Sequence, residues 1–482
     1  MLFRHLFVLA MSVTVLSSCK LQDKILLSIG FPSANAGDTS VAQVTAHETQ
    51  ILLTNDNSDT NLKDLPKWRN WWYLKFEGLP TSQEYKLVIN DLFAQDNRGW
   101  EYPYTPLYSY DNKHWQRFEA NEVSAVSENT LSGRFNHKVA VSKQYQNGNV
   151  WLARFYPYTQ DTFNDYYREL MSNHPSLMDE GYFQKQTLGF SPIHHLPIEL
   201  VTVTNPYIDT KNKKSIWIQA RSHAAETGGS FVVEGILNWL SERGNIDVNK
   251  ALDNFIFYIV PIHNVDGVYE GNYCLNSKSE NLENTWYRSA VNPLYLRDDS
   301  PSENKIINKK LRQIVTTSAP FSMALNLHSI QSAPKTRAFF FPHFGTRSQG
   351  YNKKQTNLWN NSIRFIRAVS NRYRNDVGDG LVEPAPDEGG ERFVSQYFPE
   401  SWWWANFGSQ VMAITLETTY ENAGFEPEFV TPDKLMALGE SLMMSVLEYH
   451  MLTKSESTQQ LHSEQHNSDT NFKIPSEVDV KS

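Results

Sequence analysis

Ser215-Ile216-Trp217-Ile218-Gln219-Ala220-Arg221-Ser222-His223-Ala224-Ala225-Glu226-Thr227-Gly228-Gly229-Ser230 is the stretch from which the rest of the chain can be read. Residues 215–220 are apolar apart from Ser215 and Gln219, the texture of a buried strand, and from Ser230 to Glu242 the apolar residues recur at helical spacing. A strand that feeds a helix through a short turn is the building unit of an α/β sheet. At that turn a His and a Glu stand three apart, where both can point at one ion. Zinc takes imidazole nitrogen and carboxylate oxygen at roughly 2.0–2.2 Å, and a catalytic site uses three protein ligands plus water. Alone the spacing is weak, because about one His-x-x-Glu is expected by chance in a chain this long. A satisfied structural His is the competing reading. The position adds weight: a Glu buried at the end of a core strand is costly unless paired or metal-bound, and Gly228-Gly229 lets the chain turn tightly there.

Outward from this unit, strands and helices alternate. Strands are expected at 198–204, 215–220, 254–260, 322–327, 338–341 and 411–416, and helices at 163–171, 230–242, 303–316, 354–374 and 433–453. That order gives an α/β domain whose mixed sheet is flanked by helices. Before Tyr156-Pro157-Tyr158 the texture differs. Runs such as Trp71-Trp72-Tyr73-Leu74-Lys75-Phe76 and Tyr85-Lys86-Leu87-Val88-Ile89-Asn90 are short, aromatic or β-branched, and separated by turn signals at Gly78-Leu79-Pro80 and Asp96-Asn97-Arg98-Gly99. An all-β sandwich is expected there.

Length and composition agree with two folded units. The chain has 482 residues, 13 of them Trp, and a formal net charge of -9, which argues against a nucleic-acid partner. Arg4 and His5 precede a short apolar run, 6–16, that ends at Ser17-Ser18-Cys19. The run is too short to span a bilayer and reads as a signal segment; Leu16-Ser17-Ser18-Cys19 is similar to a bacterial lipoprotein box. Cleavage after Ala34-Asn35-Ala36, before Gly37, is the alternative. The expected organisation is a signal segment at 1–19, a polar tether at 20–65, the β-sandwich at 66–157, the α/β domain at 158–452 and a disordered tail at 453–482. The expected location is outside the inner membrane of a bacterium, in the periplasm or at the cell surface, with a lipid on Cys19 as the sole membrane attachment. Only one other cysteine exists, Cys274, so no intramolecular disulfide is expected in the mature chain. Nothing in the sequence speaks to oligomeric state.

Four segments, in order, resemble the zinc carboxypeptidases of the carboxypeptidase A superfamily, especially the cytosolic carboxypeptidase-like branch. His223-Ala-Ala-Glu226-Thr-Gly-Gly-Ser resembles its first zinc motif. Pro261-Ile262-His263-Asn264-Val265-Asp266-Gly267-Val268 with Gly271-Asn272-Tyr273 resembles its Asn-Pro-Asp-Gly-Val segment, Val265 standing in the proline's place. Leu325-Asn326-Leu327-His328-Ser329 resembles the strand that delivers the third ligand, and Ile414-Thr415-Leu416-Glu417-Thr418-Thr419-Tyr420 the strand of the catalytic glutamate. The resemblance covers roughly residues 68–450. It implies a carboxypeptidase-like fold, zinc on His223, Glu226 and His328, Glu417 as general base, and Tyr397 as the candidate assisting tyrosine.

The resemblance also has gaps. Relatives carry an Arg where this chain has Cys274, and Asp-Leu-Asn-Arg where it has Asn281-Leu282-Glu283-Asn284. Asn cannot replace the charge of a bidentate Arg, and Glu283 would repel a carboxylate. Cys274, Glu283 and Asn284 thus occupy the expected substrate-binding positions, and Arg288, Arg297 or Arg337 is left to substitute from another loop. Three readings follow: a metallocarboxypeptidase-type peptidase acting on peptides, a zinc amide hydrolase that needs no free C-terminal carboxylate, and a non-catalytic binding protein.

Overall fold

The computed structural model describes residues 25–37, 42–53, 70–92, 105–129, 135–330, 337–377, 397–420 and 429–469. The signal segment and Cys19 lie outside them. Two five-stranded sheets make the N-terminal sandwich. One has the order β1-β4-β10-β6-β7, from β1 (Leu26–Ser28), β4 (Tyr73–Glu77), β10 (Val150–Ala153), β6 (Leu107–Ser109) and β7 (Gln116–Arg117). The other has the order β2-β3-β5-β9-β8, from β2 (Gln43–Val44), β3 (Glu48–Leu52), β5 (Tyr85–Leu92), β9 (Phe135–Lys143) and β8 (Val123–Asn129). Ile51, Leu87, Ile89, Val139 and Val141 from the second sheet meet Trp72, Leu74, Phe76, Val150 and Leu152 from the first.

Two expectations are corrected here. The stretch 20–65 is not a tether throughout: β1, β2 and β3 all come from it. Its polar residues conceal a period-two pattern in which Thr49 and Ile51 point inward, and the Thr49 hydroxyl bonds the Tyr85 hydroxyl at 2.6 Å. The backbone is also helical well past 453, where no Pro or Gly occurs between Thr453 and Asp469.

The second unit is a seven-stranded mixed sheet ordered β11-β12-β14-β13-β15-β17-β16. Its strands are β11 (Phe183–Phe190), β12 (Pro197–Val203), β13 (Lys214–Ala220), β14 (Phe255–Val260), β15 (Phe321–Ser329), β16 (Phe339–Phe341) and β17 (Met412–Thr418). The central four, β14, β13, β15 and β17, run parallel, and β11, β12 and β16 close the sheet antiparallel. The helices are α1 (Gln160–Asn173), α2 (Pro175–Asp179), α3 (Gly228–Ser241), α4 (Ile246–Asn254), α5 (Val265–Glu270), α6 (Ser302–Thr317), α7 (Lys353–Val377), α8 (Pro399–Phe407) and α9 (Pro432–Asp469). α3 packs against α9, and α9 against α7, while α8 lies over β15 and β17. At the α3–α9 crossing, a Cβ on Gly235 would sit 2.0 Å from the Met436 carbonyl oxygen, and one on Gly439 2.2 Å from that of Val232.

The two units share a seam because β4 and β10 serve two cores at once. Trp72, Leu74 and Phe76 alternate into the sandwich, whereas Trp71 and Tyr73 join the core of the α/β unit together with Ala153 and Phe155.

Candidate active site

The parallel strands β13, β15 and β17 end on the same edge of the sheet, the edge at which open α/β sheets carry their sites. Strand β13 leaves the sheet at Arg221, a non-glycine residue with φ 63°. Its buried guanidinium holds the turn: Nε donates to the Ala224 carbonyl at 2.9 Å, and Nη1 to the Tyr158 carbonyl at 3.1 Å and the Ser230 hydroxyl at 3.0 Å. The sharp reversal therefore comes from Arg221. Gly228 and Gly229 serve a different end than the tight turn expected of them, namely close approach: a Cβ on Gly228 would lie 2.3 Å from Thr418 Oγ1, and one on Gly229 3.1 Å from the Leu327 carbonyl.

The turn presents His223 and Glu226 to His328 at the end of β15. Glu226 Oε1 lies 2.8 Å from His223 Nδ1, and Oε2 lies 2.7 Å from His328 Nδ1 and accepts the Ser329 backbone N–H at 3.0 Å. The two imidazole rings meet edge to face with centroids 4.9 Å apart. One ligand atom from each of His223, Glu226 and His328 falls within 4.8 Å of the others, a spacing one ion can span.

The far side of each ring is held as well. His223 Nε2 is 3.2 Å from Asn281 Oδ1, and His328 Nε2 is 3.1 Å from Glu283 Oε2, an ion-pair distance without the alignment of a hydrogen bond. Acceptors on both Nε2 atoms favour the tautomer with its proton on Nε2, which leaves the Nδ1 lone pair facing the Glu226 side to bind a metal, the usual arrangement behind a metal-bound histidine. Burial opposes ionisation of Glu226, but His223 and His328 outweigh it and keep its carboxyl well below the ordinary range. Burial likewise opposes a charged His328, yet Glu283 and Glu226 raise its pKa well above the usual imidazole value. Two imidazoles and a carboxylate, each turned to a common point and held from behind, suit zinc chemically.

Glu417 is the register partner of His328 across the parallel pair β15–β17, and its Oε2 is buried without a hydrogen-bond partner among the described residues. Burial, then the charge of Glu226, push its pKa well above the ordinary carboxylate value, with His328 pulling the other way. A carboxyl so placed is suited to accept a proton.

The remaining expected residues lie further out or deeper in. Cys274 is 4 % exposed within the core. Asn284 is exposed, whereas Glu283 is buried against His328 and accepts Asn326 Nδ2 at 2.8 Å. Arg288 Nη1 donates to the Ser401 carbonyl at 2.8 Å, and Arg297 pairs with Asp299 over the Tyr287 ring. Tyr397 is 45 % exposed and packs edge-on against Tyr287, at 4.9 Å between centroids. Three site residues were not singled out from the sequence. Asn326 and Thr415 stand two residues before His328 and Glu417, a period-two signal that could have found them. Glu400, at the start of α8, accepts Asn326 Nδ2 at 3.1 Å and the Thr415 hydroxyl at 2.6 Å, and nothing near it in the sequence marks it.

Residues 182–431 match the family model described as zinc carboxypeptidase, and residues 28–155 match the cytosolic carboxypeptidase N-terminal domain. Cytosolic carboxypeptidase 1 of Gallus gallus is 25 % identical over 287 residues, which cover 55 % of this chain and 22 % of that protein. Cytosolic carboxypeptidase 6 of Mus musculus is 27 % identical over 260 residues, 53 % of this chain and 45 % of that one. The chain thus spans less than half of either relative's length. Among solved structures, a metallo-carboxypeptidase from Burkholderia cenocepacia superposes with a TM-score of 0.67 at 18 % identity, covering 89 % of this chain and 100 % of that one. A metallo-carboxypeptidase from Pseudomonas aeruginosa, in complex with (2-guanidinoethylmercapto)succinic acid, gives 0.62 at 17 % identity, covering 87 % and 98 %. These superpositions describe a shared fold.

Proposed function

The chain belongs to the zinc carboxypeptidase family, and on that premise we propose that it is a zinc-dependent peptidase of metallocarboxypeptidase type, with His223, Glu226 and His328 as the metal ligands and Glu417 as the general base. The observation that carries this reading is the pair of Nδ1 atoms turned onto one buried carboxylate, each ring braced at Nε2. A zinc ion bound there supplies the activation of water and the polarisation of the amide carbonyl. Glu226 and the two histidines would hold it, and Asn281 and Glu283 would orient the imidazoles. Glu417, whose Oε2 has no hydrogen-bond partner among the described residues, would take a proton from the attacking water and hand it to the leaving nitrogen.

Exchanging His328→Ala should remove zinc from the purified protein, whereas Glu417→Gln should keep the zinc and lower peptide turnover by about 10²–10⁴-fold. Full zinc in His328→Ala, or near-normal turnover in Glu417→Gln, would sink the assignment.

A second reading, an amide hydrolase without free-carboxylate specificity, is favoured by the carboxylate-gripping positions. Asn284 faces solvent, Glu283 is committed to His328, and the guanidinium of Arg288 is committed to the Ser401 carbonyl. Comparing a peptide acid with its C-terminal amide separates the two readings.

The location remains part of this proposal: an extracytoplasmic lipoprotein anchored at Cys19. What supports it over cleavage before Gly37 is that the segment before Gly37 carries β1, that Asn35 pairs with Tyr73, and that Asn35 Nδ2 donates to the Gly271 carbonyl at 3.0 Å. Cys19→Ser should move the protein out of the membrane fraction, and a mature chain beginning at Gly37 would end the idea.

A further inference from the structure

Arg154 is buried in the seam between the two units, with 0 % of its surface exposed. It directly follows β10, and its backbone N–H donates to the carbonyl of Trp72, a core residue of the sandwich, at 3.0 Å. By its backbone it belongs to the sandwich. Its side chain reaches into the other unit, where the guanidinium lies over two rings. The guanidinium carbon is 4.3 Å from the centroid of Tyr420 and 5.2 Å from that of Tyr273. A cation held against an aromatic face away from water is attracted to it more strongly than at a surface.

Each of these rings belongs to a residue hydrogen-bonded beside a metal-ligand position. The Tyr273 carbonyl accepts the Ala225 N–H at 2.9 Å, one residue before Glu226. The Tyr420 hydroxyl donates to the Ser329 carbonyl at 3.2 Å, one residue after His328, and the Ser329 N–H donates to Glu226 Oε2 at 3.0 Å. Tyr273 and Tyr420 both stand outside regular elements, past the ends of α5 and β17. No ladder or helical turn fixes them, so their places depend on what packs against them. The segment before Tyr273 is also gripped from the N-terminal side: Asn35 Nδ2 donates to the Gly271 carbonyl at 3.0 Å, and a Cβ on Gly271 would lie 2.6 Å from the Ala34 carbonyl oxygen.

We propose that Arg154 is the positioning residue through which the sandwich aligns the turn bearing His223 and Glu226 with the end of β15 bearing His328. This rests on the reading of those three residues as the zinc ligands. With no exposed surface, Arg154 cannot touch a substrate. It is therefore no stand-in for the arginine that relatives carry at Cys274, although it packs on the ring of the neighbouring Tyr273. What it sets is the placing of the ligands relative to one another. One cation holds Tyr273 and Tyr420 together, and with them the Ala225 and Ser329 backbones that flank Glu226 and His328.

The test uses the full chain loaded with zinc, or with cobalt, whose visible absorption reports ligand geometry. Arg154→Met keeps length and apolar bulk and removes the charge. It should weaken zinc binding by about 10- to 100-fold in chelator competition, the usual span for a group acting from behind the ligands, and shift the cobalt spectrum. kcat should fall with the affinity while KM hardly moves. Arg154→Lys should restore part of the affinity, since an ammonium keeps the attraction to the rings but not the planar stacking. If Arg154→Met fails to fold, Arg154→Lys must show the same changes at smaller size, and their absence refutes the proposal. Tyr420→Phe keeps the ring under Arg154, removes the bond to Ser329, and should move the cobalt spectrum in the same direction. Val150→Ala opens a cavity in the sandwich core on the same strand and is the control for lost stability. Where it stays folded, its zinc affinity and cobalt spectrum should be those of the unaltered protein. Unchanged affinity and spectrum in Arg154→Met, or equal changes in Val150→Ala, would make Arg154 a filler of the seam and overturn the proposal, with the ligand assignment left standing. If the unaltered chain binds neither zinc nor cobalt, the ligand assignment itself fails and the proposal falls with it.

Discussion

At the residue scale, Arg221 does work that a glycine does at many strand-to-helix turns. Its φ of 63° is one an L-residue adopts at a cost of about 1 kcal/mol or more. The cost is offset because its guanidinium satisfies the carbonyls of Ala224 and Tyr158 and the Ser230 hydroxyl inside the fold. Arg221→Met keeps length and apolar bulk but leaves those acceptors unanswered. Stability should fall by about 2–4 kcal/mol in denaturant titration, and zinc affinity by tenfold or more, because His223 and Glu226 ride on that turn. An unchanged zinc affinity would show that the turn holds its shape without Arg221. His223 and Glu226 were legible in the sequence because they share the turn after an apolar strand, and His328 and Glu417 because their strands resemble those of the zinc carboxypeptidases. Arg221 and Glu400 were not, since the role of each depends on partners reached only after folding: Tyr158 lies 63 positions from Arg221, and Asn326 lies 74 from Glu400.

At the scale of elements, both partners of the α3–α9 contact were readable as helices from their periodicity, but their closeness was not. The reason is the pair Gly235 and Gly439, which lets one backbone approach the other. In a lone helix Gly439→Ala would gain about 1 kcal/mol of propensity. Here the added methyl would press on the Val232 carbonyl oxygen at 2.2 Å and on the Ile236 nitrogen at 2.8 Å, backbone atoms that cannot swing aside. Overpacking of that kind costs about 1–3 kcal/mol, so the net change should be a loss and the denaturation midpoint should drop. A raised midpoint would mean that α9 shifts freely on α3. The edge strand β11 also went unread: its pattern is largely exposed, Phe183 being the buried residue, so it lacks the apolar run that marked β13 and β14.

At the scale of the whole molecule, the sandwich is tied to the strand that bears Glu417. Arg117, on β7, donates through Nη2 to the carbonyls of Tyr420 and Val430, each at 2.9 Å, and through Nη1 to that of Thr105. Arg154, just past β10, lies over the Tyr420 ring at 4.3 Å, and Phe155 meets the same ring edge to face. The Tyr420 hydroxyl donates to the Ser329 carbonyl at 3.2 Å, and the Ser329 N–H donates to Glu226. One continuous set of contacts thus runs from the sandwich to the candidate metal ligand. Because β4 and β10 also feed both cores, neither unit has a complete apolar interior without the other. The full chain should therefore unfold in one transition, with tryptophan fluorescence and far-ultraviolet circular dichroism coincident. Arg117→Ala strips charged donors from two carbonyls beside the Glu417 strand and should cost about 2–4 kcal/mol. Arg117→Lys should recover only part of that, since one ammonium cannot reproduce the guanidinium fork. The loss should appear in kcat as well as in the midpoint, because the end of β17 is what the arginine restrains. Two resolved transitions in the unaltered protein, or full activity in Arg117→Ala at temperatures where it stays folded, would show that the sandwich only accompanies the site.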